Sequence, residues 1–240
     1  MQPSTEAPLA PAEFIDRLRR EGASRYHDEH PFHLRMHDGS LSRGELQRWV
    51  QNRYYYQTRI PIKDALIVAK SSDPVFRRGW IRRIHDHDGD GDGAEHPGGL
   101  EQWLRLAEAV GLDRQLVASC RDVLPGVRFA CDAYVTLVEK SPLVVAVASS
   151  LTEFFAPDLM SKRIAAWERH YPWVHGEALA YFRGRVPRAR RDSEEAIDFV
   201  VREASNRVLQ EACVAALIQK TEILWHMLDC IEGRGPERTG

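Results

Sequence analysis

Apolar and polar positions recur at three- and four-residue spacing along almost the whole chain, the period of helices buried on one face. Nowhere is there the strict alternation of a half-buried strand. The strongest pattern starts at Ser42 and Glu45, an S-x-x-E capping box that satisfies free N–H groups at a helix start. Behind it, Leu46, Trp49, Val50, Arg53, Gln57, Ile60 and Asp64 share one face. That face begins apolar and turns polar halfway along. Pro61 then removes a helix hydrogen bond and predicts a kink. Either the polar half lines an internal cavity, or Arg53 snorkels to the surface past Trp49.

The same periodicity predicts the other elements. Ala12–Glu21 is a short helix closed by Gly22, and Arg25–His33 is a helical turn stopped by Pro31. Asp73-Pro74 reads as an N-cap and first-turn proline, opening a helix with Phe76, Trp80, Arg83, Ile84 and His87 on one side. Gly89–Gly99 is a glycine- and aspartate-rich loop. Further helices are expected over Leu100–Val110, Arg114–Cys120, Val127–Lys140, Pro142–Phe155, Asp158–Arg169 and Trp173–Gly184. The last runs from Ser193 to about Ile231, with a break near Ser205-Asn206. Together these predict an all-α fold, a compact multi-helix bundle forming a single domain over 1–240. Residues 1–11 would be a flexible lead-in and 232–240 a frayed tail.

Composition narrows the class only slightly. The 240 residues are 43% hydrophobic and 28% charged, with a net charge of −2, which gives no global pull toward nucleic acid. The start of the chain lacks the basic and apolar regions of a signal peptide, and no apolar run reads as a bilayer span. Cys120, Cys131, Cys213 and Cys230 are scattered in apolar helical patterns and read as reduced core cysteines of a cytoplasmic protein.

The candidate chemistry lies in basic residues on apolar faces. Lys220 falls in the middle of a stripe running from Leu209 to Ile231, and Arg163 sits among Leu159, Met160, Ile164 and Trp167. Arg83 lies beside Trp80 and His87, Tyr181 is one turn before Arg185, and Thr152 and Glu153 end the stripe of Val145, Ala148 and Leu151. A buried cation is costly unless it is paired or binds an anion. Each has a bland reading: Arg163 could pair with Asp158, and Lys220 could snorkel. As a set, Arg53, Arg83, Arg163, Arg185 and Lys220 suggest an internal cationic pocket for a small polyanion carrying several carboxylates. Tyr26, Tyr56, Tyr134 and Tyr181 would add hydroxyl donors.

Metal motifs fail on spacing. An EF-hand register from Asp88 puts Gly99 where the bidentate glutamate belongs, and one from Asp86 puts Pro97 there. No Glu-x-x-His pair exists for a carboxylate-bridged iron centre. Cys131 beside Asp132 could be a nucleophile, but a packed structural cysteine is the simpler reading. His27 and His87 are candidate acid–base groups.

Several stretches match a known family in order. They are Arg25-Tyr26-His27 with His30-Pro31-Phe32-His33, Asn52-Arg53-x-Tyr55-Tyr56-Gln57 with Ile60-Pro61-x-Lys63-Asp64, and Arg83 with Asp86-His87-Asp88-Gly89. Leu124–Ala130, Ser149–Glu153 with Phe155-Ala156-Pro157, His170–Trp173, Tyr181-Phe182-Arg183-x-Arg185 and Lys220 with Leu224-Trp225-x-Met227-Leu228-Asp229 continue the series. From Arg25 to Asp229 the chain resembles the pyrroloquinoline-quinone synthase family. The resemblance implies a haem oxygenase-like fold, a homodimer, and an oxidase with no metal or organic cofactor and O2 as co-substrate. Its partners would be a polyanionic quinone precursor and pyrroloquinoline quinone, formed by ring closure and oxidation with release of hydrogen peroxide.

Carried over by position, the resemblance implies that Arg53, Gln57, Lys63, Arg83, Arg163 and Lys220 hold carboxylates and quinone oxygens. Tyr26, His27, Tyr134, Thr152 and Glu153 would complete the pocket and share proton transfer. His87, Tyr181 and Arg185 would form the oxygen-side core, with His87 as general base or acid. The family pattern often has a histidine at the place of Met160, and a thioether cannot shuttle protons. The insert at Gly89–Gly99 is also longer than usual and is expected to be mobile surface. Two alternatives stay open: a thiaminase-like hydrolase using Cys131, and a non-catalytic carrier of a quinone or porphyrin acid.

Overall fold

A computed structural model describes residues 6–91 and 96–233. The order is α1 (Pro11–Ala23), a 3-10 turn (His27–Glu29), α2 (Pro31–Asp38), α3 (Arg43–Ala69), α4 (Pro74–Asp88), α5 (Gly98–Ala109) and α6 (Arg114–Ala118). There follow α7 (Pro125–Lys140), α8 (Leu143–Ala148), a 3-10 segment (Ser149–Phe154), α9 (Ala156–His170), a 3-10 turn (Gly176–Leu179), α10 (Ala180–Glu203) and α11 (Arg207–Glu232). No strand occurs among the described residues. The expected lead-in, tail and Asp-rich loop fall in part outside them, at 1–5, 92–95 and 234–240.

The helix starts follow their caps. Both halves of the Ser42–Glu45 box form, with Ser42 N–H donating to Glu45 Oε2 at 2.8 Å. Asp73 and Asn206 cap α4 and α11 through their side-chain oxygens, so the break at Ser205-Asn206 is real. Pro31 begins α2 instead of stopping a turn. Its missing N–H costs nothing at a first helical position, and His30 Nδ1 accepts from Phe32 N–H at 3.0 Å as the cap. Helix α3 continues eight residues beyond Pro61, to Ala69.

Two expected elements are redrawn. Pro142–Phe155 is not one α-helix: α8 ends at Ala148 and the chain continues as a 3-10 segment over Ser149–Phe154. The chain tightens to 3-10 geometry at Ser149, whose Oγ bonds back to the Ala146 carbonyl at 2.7 Å. Conversely, the expected gap between Gly184 and Ser193 is helical. α10 runs through Pro187 because Tyr181, Phe182, Arg185, Ala189, Asp192, Ala196 and Val200 are all buried along its length. Packing of that face outweighs one lost hydrogen bond.

Around Trp49 on α3, the rings of Trp103, Trp167 and Phe182 lie 5.4, 6.1 and 6.3 Å away. This aromatic cluster joins α3, α5, α9 and α10 at one end of the bundle. All four cysteines are free, Cys131 and Cys213 buried and Cys120 and Cys230 only half-buried. The expectation that no run could span a bilayer needs one correction. Leu143–His170 is long and apolar enough, but 72% of its apolar window is buried within the fold, as in the core helix of a globular protein.

The end of α4 is fixed by a close backbone approach. Gly89 and Gly98 have φ of +91° and +68°, and a Cβ on Gly98 would lie 2.6 Å from the His87 carbonyl oxygen. Gly98→Ala is expected to destabilise the fold by about 2 kcal/mol or more. A thermal melt followed by circular dichroism checks this, and Gly91→Ala, which meets nothing within 4 Å, is the neutral control.

Candidate active site

Helices α3, α4, α9, α10 and α11 and the first two 3-10 segments line a partly open cavity. All five expected catalytic residues line it: His27, His87, Glu153, Tyr181 and Arg185. So do Tyr26, Arg53, Gln57 and Thr152 of the expected binding set. Lys63, Arg83, Tyr134, Arg163 and Lys220 do not reach the wall; they are buried behind it. Ile60, Ala156, Leu224 and Met160 supply the apolar part.

One side is built on a buried carboxylate, Asp192. Arg185 ion-pairs with Glu153 and approaches Asp192 at 3.6 Å. Arg83 donates to the Asp192 carbonyl at 2.5 Å and stacks on Trp80 at 3.7 Å. Burial opposes the Arg185 charge, but Glu153, Tyr181 and Asp192 overcome it and hold its pKa above the ordinary value. His87 lies beside this pair, its Nδ1 3.1 Å from the Arg83 carbonyl. A carbonyl only accepts, so Nδ1 carries the proton and Nε2 is left as a lone pair. Burial, then the Arg185 charge, lower the His87 pKa to about 3, so the ring is neutral near pH 7. Tyr181 donates its hydroxyl proton to Gln57 Oε1 at 2.6 Å, which leaves the Gln57 amide N–H groups for a guest.

The other cations divide into paired and unpaired. Lys63 is neutralised by Asp64 at 2.6 Å and also donates to Ser150 at 3.0 Å. Arg53, Arg163 and Lys220 have no carboxylate partner among the described residues. Arg53 stacks on Tyr56 at 3.9 Å and touches Met227 Sδ at 3.5 Å, so it is a cavity wall and not a snorkelling residue. Lys220 donates to the Tyr56 hydroxyl at 2.9 Å and sits 3.3 Å over the Tyr134 ring. Arg163 makes no pair with Asp158; it bonds His33 Nε2 at 3.1 Å and lies against Trp49 and Phe182. Burial, then Arg53, push the Lys220 pKa well below its ordinary value and that of Arg163 down to about 9.

Sequence reasoning missed Asp192 and His33. Asp192 is two turns after Arg185, a spacing that means something only if α10 is unbroken. His33 stands in a quoted motif, yet its bond to Arg163 spans 130 residues. Met160 does face the cavity, its sulfur 3.8 Å from Arg163 Nη1, so no proton-transfer group stands at that point of the wall. Cys131 is fully buried off the cavity, and burial pushes its thiol up to about 12. Among the described residues no three His, Cys, Asp or Glu side chains cluster as a metal site.

Burial, assisted by nearby Arg53 or Arg163, also keeps His27, His33 and His37 neutral below their ordinary value of 6.5. The unfolded chain protonates these rings near pH 6.5, whereas the fold resists until about pH 4 for His37 and about 3 for His87. In that window the unfolded state binds more protons. Stability is therefore full above pH 6.5 and falls as pH drops, by up to about 1.4 kcal/mol per pH unit for a fully buried ring such as His87 and by less for the partly exposed His37. Urea midpoints measured at about pH 7.5 and about pH 5 should differ clearly; equal midpoints would show that these rings are not held neutral.

Comparison with known proteins gives the family and the fold. The model of the TENA/THI-4/PQQC family matches residues 15–230. The chain is 50% identical over 218 residues to the pyrroloquinoline-quinone synthase of Rhizobium meliloti, covering 91% of this chain and 84% of that one. It is 47% identical over 227 residues to that of Pseudomonas aeruginosa, covering 95% and 89%. Among solved structures, a Shewanella denitrificans domain of unknown function with a haem oxygenase-like fold superposes with a TM-score of 0.73 at 14% identity, over 94% and 93% of the two chains. A TenA homologue from Pseudomonas syringae superposes at 0.72, also at 14% identity, over 95% and 98%. At that identity the structures speak for the fold alone, which is haem oxygenase-like, while the sequence relatives speak for the family. The chain belongs to the TENA/THI-4/PQQC family, among its pyrroloquinoline-quinone synthases.

Proposed function

We propose that this chain is a pyrroloquinoline-quinone synthase that closes the last ring of a reduced, ring-open quinone precursor and oxidises it with O2, releasing hydrogen peroxide. The observation that carries the reading is a set of three cations, the half-buried Arg53 in the cavity wall and the buried Arg163 and Lys220 behind it, with no carboxylate of their own among the described residues. A polycarboxylate guest would supply the missing negative charge. The names of the relatives fit such a guest.

The residues divide the work. Arg53 and the Gln57 amide face the guest's carboxylates and quinone oxygens, with Lys220 and Arg163 contributing charge from behind the wall. His87 Nε2 accepts a proton from the substrate. A bound polyanion offsets the neighbouring Arg185 charge and raises the His87 pKa toward a working value. As the substrate gives electrons to O2, negative charge grows on oxygen, and Arg185 and Tyr181 sit where they stabilise it. Glu153 and Asp192 keep Arg185 charged and in place. In this reading the electron-rich substrate reduces O2 itself and the protein needs neither metal nor organic cofactor. The chain would act as one catalytic domain in a cytoplasmic homodimer.

The hydrolase alternative loses its nucleophile, because Cys131 lies off the cavity with a thiol held at about 12. A carrier remains distinguishable by activity. Chelator-treated protein incubated with the reduced precursor should yield pyrroloquinoline quinone and peroxide in air and neither without it. No product in air, with the precursor bound, would point to a carrier. Lys220→Met should raise KM on the order of tenfold, the loss of one positive charge behind the cavity wall. His87→Asn should lower kcat by about 100-fold and leave binding nearly intact.

A further inference from the structure

Two histidines line the cavity, and their outer hydrogen bonds differ in kind. His33 sits between an obligate donor and an obligate acceptor. Arg163 has only N–H groups to offer, so His33 Nε2, 3.1 Å from Arg163 Nη2, must be the lone pair. The His27 carbonyl has only lone pairs, so His33 Nδ1, at 2.8 Å, must carry the proton. Both contacts select the same tautomer; the other would set two donors face to face and two lone pairs face to face. His33 Nδ1–H, already on the His27 carbonyl, also approaches His27 Nδ1 at 3.2 Å, a contact that favours a lone pair on that nitrogen and the His27 proton on Nε2. His87 is held the opposite way, with Nδ1–H on the Arg83 carbonyl and its Nε2 lone pair free.

We propose that His33, locked by Arg163, is a positioning residue that fixes His27 as a hydrogen-bond donor to the cavity, opposite in polarity to the acceptor His87. The Nε2 of His27 and the Nε2 of His87 have no protein partner among the described residues, while both rings line the cavity. A guest therefore meets an N–H at His27 and a lone pair at His87. The first suits a quinone or carboxylate oxygen, the second an acidic substrate hydrogen. The chemical use of the pair rests on the function proposed above, whereas the tautomers do not.

The test begins with ligand-free protein carrying 15N-labelled histidine, near neutral pH. Long-range proton–nitrogen correlation should show Nε2–H for His27 and Nδ1–H for both His33 and His87. Nε2–H at His33, or Nδ1–H at His27, overturns the proposal. Turnover of His33 variants gives the second readout. His33→Leu should lose on the order of tenfold in kcat with little change in KM, through one positioning hydrogen bond. His33→Gln, which can still accept from Arg163 and donate to His27, should recover most of it. A leucine variant with unchanged kcat, or equal losses in both variants, counts against positioning. If the wild-type tautomers are as stated and no precursor is converted, the functional reading fails and the tautomer assignment stands.

Discussion

Positive charge buried without a counter-anion is the constraint on which this molecule depends. Lys220 has no exposed surface at all and Arg163 only 2%, and neither meets a carboxylate. Hydration lost on burial is recovered only in part by the Tyr134 and Tyr56 rings, by Trp49 and by His33. A fold with stability to spare for this arrangement gains a cavity poised for a polyanion. The aromatic cluster around Trp49 provides the rigid wall that keeps the unpaired charges from relaxing outward.

The same constraint explains why the histidines are neutral. Rings set among Arg53, Arg163, Lys220 and Arg185 cannot take up protons in the empty cavity. They are bases in waiting, released when a guest brings negative charge. The paired arginines behave differently. Arg83 and Arg185 share Asp192, which burial would protonate but which the two guanidiniums hold ionised. The two halves of the cavity thus differ in kind: one offers uncompensated charge for binding, the other a fixed dipolar framework where oxygen chemistry would develop charge. Met160 lies on the first side, against Arg163, and leaves His27 and His87 as the histidines on the wall.

Much of this was legible in the residues. Helix period and capping boxes located most elements, and cations on apolar faces pointed to the cavity before any pairing was known. What stayed hidden was long-range. Nothing near Arg163 in sequence indicates His33, and nothing near Lys220 indicates the Tyr56 hydroxyl, 164 residues away. Local rules failed where packing overruled them: the expected helix ended at Gly184, yet the buried face of α10 carries the helix past it and through Pro187. That misreading concealed the Arg185–Asp192 relation. Ser149 showed the reverse: the apolar stripe predicted one helix through to Phe155, yet the chain tightens to 3-10 geometry there.

Calorimetric titration of pyrroloquinoline quinone into the protein, repeated near pH 8 in buffers of different ionisation enthalpy, addresses the buried charge most directly. Burial and the Arg53 charge weaken the hold of Lys220 on its proton in the empty site. An incoming polyanion should strengthen that hold, so binding should draw protons from the buffer and the observed enthalpy should change with the buffer used. Tight binding with no proton uptake, or with release, would mean that these cations are already charged and compensated in the empty cavity.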